Sequence, residues 1–301
     1  MASFPAQTTC VASQIRGRQH LKDDPIVALE EIRRMRGGCQ SHLMRCSDGH
    51  HYVVKFPNNP QGRRVLANEL LCTFLARLLS LPVADGAVVF VNQDLVRLSD
   101  ELCIQQGFGH IPCEHGLCFG SRCPVAPGRR AIYDFLPGNI LAQVPNLLDF
   151  CGMLVFDIWT SNKDDRQAVF VPDELNSYHA VMIDQGSCFD GQAWCFADAP
   201  RRSVYLDKRV YKGVQGISAF EPWLNALAQI GRDALDEAAS RIPPEWFGGD
   251  RERLDQLLDQ LYDRKDQVRD KLQFFGSVFP EVFPNWEARR RRGKRRVTCA
   301  A

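Results

Sequence analysis

Nowhere in this sequence do eighteen apolar residues run together, so no membrane-spanning helix is expected. The opening stretch "MASFPAQTTCVASQIRGRQH" has too short and too mixed an apolar segment for a secretory signal. It is free of acids and holds two arginines, as transit peptides do, but a plain disordered tail is the preferred reading. The expectation is a soluble, cytoplasmic protein. Excess charge of either sign is also missing: 37 Lys and Arg stand against 36 Asp and Glu, a net of +1. No global field therefore draws the chain to nucleic acid or membrane, and neither is expected as a partner. No internal repeat is visible, and no G-x-G-x-x-G loop occurs.

Cysteine, by contrast, is plentiful, with 12 residues spread from Cys10 to Cys299. A chain of 301 residues can bury a core large enough to need no staples, so reduced thiols are the default. One cluster stands apart. In "CIQQGFGHIPCEHGLCFGSRC" four cysteines, Cys103, Cys113, Cys118 and Cys123, crowd with His110 and His115 into what reads as a Gly-rich loop. Soft ligands of this kind suit zinc, but the C-x4-C spacings are not the tight C-x2-C knuckle. Zinc and unliganded thiols both stay open.

Along the chain, residues 1–25 read as a tail, and Asp23, Asp24 and Pro25 announce a helix over "IVALEEIRRM". The next stretch reads as two strands joined at the Asp48-Gly49 turn. The second of them puts Tyr52, Val54 and Phe56 on one face and Val53 and Lys55 on the other. Leu66, Leu70, Phe74 and Leu78 recur every four residues, predicting an amphipathic helix from 65 to 80 that also carries Glu69. "GAVVFVNQDLVRLS" reads as strand, turn and strand. "PNLLDFCGMLVFDIWTSN" is apolar nearly all round and predicts a buried helix. Two short strands, "AVFVP" and "YHAVMID", follow it, and long helices complete the chain. The basic "RRRRGKRR" stands without interleaved aromatics and reads as a solvated tail.

The order of these elements suggests chemistry. A phosphoryl-transfer site needs a cation on the nucleotide phosphates, a carboxylate to orient the nucleophile, and a second carboxylate to hold magnesium. Lys55, Asp164 or Asp165, and Asp184 supply those types in that order. Taken singly, a strand lysine is an ordinary edge guard and a turn carboxylate an ordinary cap. Taken jointly, on these elements, they favour the site. Two adjacent loop carboxylates after an apolar helix would also be costly to bury without a cation.

On "YVVKF", "NNPQG", "NELL", "LLSLPVA", "HGLCFGS", "FDIWTSNKDDRQAVF" and "MIDQGSCF", the sequence resembles the HipA-like kinases over about residues 37–286. The match is nearest to the stand-alone members of that family. The resemblance implies an α+β, two-lobed protein-kinase-like fold. Its β-rich N-lobe would span residues 26–100, with a connecting loop at 101–130, a helical C-lobe at 131–288 and a basic tail at 289–301. It implies ATP and Mg2+ as cofactors and a Ser or Thr hydroxyl of a protein substrate as acceptor.

Carried over by residue, Lys55 would contact the α- and β-phosphates, Glu69 would pair with it, and Val53 would line the adenine pocket. Asp164 becomes the catalytic aspartate, with Asp165 beside it and Arg166 where the family has histidine. Asp184 becomes the magnesium aspartate, in "DQG" rather than "DFG". The asparagine expected to bind a second metal falls on Val169, which has no ligand atoms; Asn162 and Gln167 are the nearby substitutes. For the phosphate-covering loop the candidates are Gly37, Gly38 and the turn at Gly49. Val169 also keeps open a pseudokinase that binds nucleotide without turnover. A small-molecule or lipid kinase, its basic tail on a membrane, is the further alternative.

Overall fold

The computed structural model describes residues 26–174, 177–196 and 203–286; the sequence-predicted tails at 1–25 and 289–301 lie outside them. Nine strands and eight α-helices are found among these residues. The first half of the chain builds a barrel from β1 (Ile26–Arg34), β2 (His42–Cys46), β3 (His51–Lys55), β4 (Gly86–Val91) and β7 (Gly116–Arg122). Its order is β1-β2-β3-β7-β4, closed by a short parallel pairing of Ile26 and Val27 with Val89 and Phe90. Helix α1 (Arg64–Leu78) follows β3 and α2 (Gln93–Leu98) follows β4, while β5 (Cys103–Gln106) and β6 (Gly109–Pro112) form a separate hairpin.

Three expectations are corrected here. The predicted first helix is strand β1. Its pairing with β2 carries register shifts between Ala28 and Glu30 and between Glu31 and Arg33. Each shift places an extra residue in the strand and breaks the two-residue alternation by which a strand is recognised. The second strand predicted in "GAVVFVNQDLVRLS" is helix α2, begun by Asn92, whose side chain accepts from the Asp94 N–H at 2.9 Å. The cysteine-rich segment is not a loop but a hairpin followed by a barrel strand. Cys118 is fully buried in the barrel, and β7 pairs on both sides, with Lys55 opposite Phe119 and Val89 opposite Cys118. Among the described residues no group of three or more His, Cys, Asp or Glu is arranged to hold a metal ion.

Inside the barrel Met44, Tyr52, Val54, Phe56, Val89, Val91 and Cys118 form one core. Gly120 is what lets β7 approach: a Cβ there would come within 2.5 Å of Val89 and 3.1 Å of the Tyr52 ring. Burying each such Val or Phe removes enough apolar surface for about 1.5–3 kcal/mol.

The second core is helical. After α3 (Gly138–Leu141) comes α4 (Asp149–Thr160), whose residues from Phe150 to Thr160 are all buried, as its apolar sequence predicts. Trp159 donates its indole N–H to Leu261 O at 2.8 Å, which ties α4 to α7 (Arg251–Arg264). Helices α5 (Glu221–Ala228), α6 (Arg232–Ala239) and α8 (Val268–Val278) complete the layer. The predicted hairpin is present as β8 (Gln167–Pro172) and β9 (Tyr178–Ile183). Helix α1 packs into this second core through Leu66, Leu70 and Leu75, so it joins the barrel sequence to the helices. Among the described residues no helix is long and apolar enough to cross a membrane.

Candidate active site

Three elements converge where the barrel meets α1 and the β8–β9 hairpin. Strand β3 ends in Lys55, whose face of the strand is also that of the half-buried Val53. One turn inside the buried part of α1 stands Glu69, 1% exposed. Directly after β9 comes Asp184, in the left-handed region at φ 58°. Such a conformation in a non-glycine residue costs about 1–3 kcal/mol, so the surroundings must fix it. They do: Lys55 Nζ donates to Glu69 Oε1, and to Asp184 Oδ1 at 2.7 Å. Residues 14 and 129 positions from Lys55 in sequence are thus brought onto one ammonium group.

The electrostatics follow from this geometry. Burial alone would lower the Lys55 amine, but Glu69 and Asp184 outweigh it and hold the amine well above its ordinary value. Burial pushes the Asp184 carboxyl up, yet the Lys55 charge and hydrogen bond bring it down to about 2. The remaining lone pairs of Glu69 are used on the same segment: it accepts from the Gln185 N–H at 3.1 Å and the Gly186 N–H at 2.9 Å. A charge this deeply buried is tolerated only when its lone pairs are met, and here they are.

Beside Asp184, Gln167 donates its side-chain amide to Oδ2 at 3.1 Å. Asn162 is placed differently. It is 3% exposed, donates to Asp157 Oδ1 at 3.0 Å and accepts from the Asp164 N–H at 3.2 Å. In this arrangement its side chain bridges α4 and the loop, and it makes no contact with Asp184. The Asp184 carboxylate is a hard oxygen donor of the type that suits Mg2+, and the Gln167 amide, turned over, would bring a second oxygen beside it. The donor set fits that ion.

Arg166 also departs from its expected catalytic place. Its guanidinium is fully buried and forks onto Asp157 of α4, with Nε 2.8 Å from Oδ2, while Nη1 donates to Ile183 O at 3.0 Å. It fastens α4 to the last residue of β9, immediately before Asp184. Burial disfavours its charge, but Asp157 more than compensates. The two aspartates before it are exposed. Asp164 Oδ1 accepts from the Asp165 N–H at 2.9 Å and so caps its own turn. The Asp165 carboxyl is raised by partial burial and by the neighbouring Asp164, with Lys208 opposing.

The phosphate-loop candidates separate cleanly. Gly49 sits in the β2–β3 turn, at the end of β3 opposite Lys55, and the strand from His51 to Lys55, at about 3.3 Å per residue, separates them. The β1–β2 loop is at the correct end, because His42 pairs with Val54. It contains Gly37, at φ 125° with open space around its Cα, and Gly38. Sequence reasoning missed its Cys39. The thiol is 6% exposed, donates to Gln61 Oε1 at 2.6 Å, and is pushed up to about 12 by burial although Lys55 opposes this. Asn68, also missed, gave no signal beyond its place before Glu69.

A cavity of about 460 Å3 lies elsewhere, between α2 and the β5–β6 hairpin, lined in part by Arg97, His110 and His115. It contains none of the converging residues.

The HipA-like kinase profile matches residues 29–275. No curated protein matches the chain. Among solved structures, a Helicobacter pylori proinflammatory kinase, CtkA, is similar with a TM-score of 0.52 and 13% identity, over 82% of this chain and 97% of that one. The Golgi casein kinase is similar with a TM-score of 0.50 and 14% identity, over 86% of this chain and 75% of that one. At such identities the likeness is one of fold. With the profile spanning most of its length, the chain belongs to the HipA-like kinase family.

Proposed function

We propose that this kinase uses ATP and Mg2+ to transfer the γ-phosphoryl group to a hydroxyl, a protein Ser or Thr being the acceptor. The observation that carries the reading is the meeting of Lys55, Glu69 and Asp184 from three distant elements. In this reading the barrel with β7 is one lobe, the helical layer the other, and the nucleotide lies between them. Lys55 neutralises the α- and β-phosphates, Glu69 holds Lys55, and Val53 lines the adenine pocket. The β1–β2 loop with Gly37 and Gly38 covers the phosphates. Asp184 and the Gln167 amide oxygen hold the magnesium ion, Gln167 serving where Val169 cannot. When bound, that ion neutralises charge developing on the phosphoryl oxygens.

For the acceptor hydroxyl we take Asp165 ahead of the expected Asp164. Asp164 is committed to its turn, whereas the Asp165 carboxyl is raised and so is better matched to taking a proton. Arg166 holds this loop rather than touching the acceptor. Catalysis is then mostly positioning and charge stabilisation. Intact mass of wild type and Asp184→Ala, before and after incubation with magnesium and ATP and a mixed Ser/Thr peptide pool, tests the reading. Phosphate gain on protein or peptide in wild type alone is expected.

A second reading has one specific observation behind it. Val169 lies within β8 opposite Val181 and offers no ligand atom. A scaffold that binds nucleotide without turnover would show magnesium-dependent nucleotide binding with no phosphate gain anywhere.

A further inference from the structure

The residue just before Glu69 does something the phosphotransfer reading does not use. Asn68 is 1% exposed in the middle of α1. Asparagine is a poor helix former, and a buried amide is costly unless its hydrogen bonds are made. Its side chain is saturated, and every partner lies in one segment. The two N–H groups of the amide are shared among Gly186 O at 2.9 Å, Cys188 O at 3.1 Å and Gly191 O at 2.8 Å, while Oδ1 accepts from Trp194 Nε1 at 2.7 Å.

That segment needs holding. Seven non-glycine residues among those described have positive φ, and four of them, Asp184, Phe189, Asp190 and Trp194, fall between 184 and 194. Strained backbone persists only where its surroundings over-determine it. Gly186 is gripped from both sides of its own residue, its N–H by Glu69 and its C=O by Asn68. A side chain at Gly186 would collide with Val65, so the segment lies flat on α1. Arg64 adds a bond to Gln192 O at 3.1 Å and stacks its guanidinium over the Trp194 ring at 4.9 Å.

We infer that Asn68 is a positioning residue, which clamps the 186–194 segment to α1 and thereby keeps Asp184 turned toward Lys55 and the magnesium site. The inference rests on the proposed nucleotide and metal roles of Lys55 and Asp184, but the clamp itself does not. It makes the pair Asn68-Glu69 one device: Glu69 fixes Lys55, and Asn68 fixes the segment that carries Asp184.

The test uses the full chain and two readouts. Hydrogen exchange by mass spectrometry follows the 184–194 segment without any ligand, and Mn2+ titration with a non-hydrolysable ATP analogue, read by electron paramagnetic resonance, follows the metal site. Asn68→Ala is expected to speed exchange at Gln185 and Gly186 by 10-fold or more while exchange in the β1–β4 barrel strands is unchanged. The Mn2+ dissociation constant in the presence of the analogue is expected to rise by 10-fold or more. Trp194→Phe keeps the ring, removes the donor to Asn68 Oδ1, and should move both readouts the same way by a smaller factor; it carries the test if Asn68→Ala does not fold. Unchanged exchange at 184–194 in the folded variants overturns the clamp. Faster exchange with unchanged Mn2+ affinity overturns the positioning role. If wild type itself binds no metal–nucleotide complex, the kinase reading fails and the positioning role with it, while the clamp is still judged by exchange alone.

Discussion

The two halves of the candidate site are built on opposite terms. On the Lys55 side every charge is paired: Lys55 holds Glu69 and Asp184, and Glu69 also takes two backbone N–H groups. On the Asp164–Asp165 side the carboxylates are exposed, and the fixed part lies beneath them in the fully buried Arg166–Asp157 pair. The contrast matches two tasks. A nucleotide and its metal have fixed geometry and gain from a preorganised site, whereas an acceptor must enter and leave. Substitutions on the first side should therefore damage stability and activity together, and those on the second should separate the two.

The strongest way to break the comparison is at Lys55. Lys55→Met removes the cation and leaves Glu69 buried without its partner. Phosphoryl transfer should fall by about 10^3-fold, the scale of losing several kcal/mol of charge stabilisation. Stability should fall as well, by about 3–5 kcal/mol, because breaking a buried pair strands the other charge. Urea unfolding beside a phosphate-transfer assay reads both. A variant that loses activity at full stability would mean that Glu69 is not dependent on Lys55.

Asp165→Ala tests the open side. Transfer should drop by about 10^2-fold, within the range for a general base, while stability stays within about 0.5 kcal/mol and nucleotide affinity is unchanged. Asp164→Ala should also leave stability within about 0.5 kcal/mol, with less than a 10-fold change in rate. If the Asp164 variant is the inactive one, the original sequence expectation is restored and the assignment of Asp165 is wrong.

How much of this was legible beforehand depends on whether a signal was local. Lys55 on a strand, Glu69 on the next helix and Asp184 at a strand end could be read because each has an element-level context in the sequence. The apolar helix α4 and the β8–β9 hairpin were legible for the same reason. Strand β1 was not, because its bulges erase the alternation, and closure of the barrel against β4 is a tertiary fact. The cysteine-rich segment misled because its glycines suggested a loop. In the structure one of them, Gly120, is instead the residue that lets a barrel strand pack. Motif position makes Arg166 and Asn162 candidates for catalyst and ligand, and only the folded structure reveals that both bond to Asp157. Sequence spacing gives nearness along the chain, not which end of a strand a turn occupies. For that reason Gly49 was indistinguishable from Gly37.

The smallest effect expected is one of acidity, and it sharpens the same comparison. The Asp184 carboxyl titrates at about 2 in the folded chain, against an ordinary value of 3.8, because Lys55 offsets its burial. A depressed carboxyl contributes stability that is fully present above its unfolded value and is lost as pH falls through its folded one. The charge-dependent part of the stability gap between wild type and Asp184→Asn should therefore be constant above about pH 5, narrow below it, and be mostly gone near pH 2. The Asp165→Asn gap should run the other way, since that carboxyl is raised in the folded chain. Its ionised form is then the less favourable one on folding, so the variant should gain slightly on wild type as pH rises through the carboxylate range. Urea unfolding from pH 2 to pH 7 on the three proteins gives both slopes. Gaps of the same sign would mean that the two halves of the site do not differ in how their carboxylates are held.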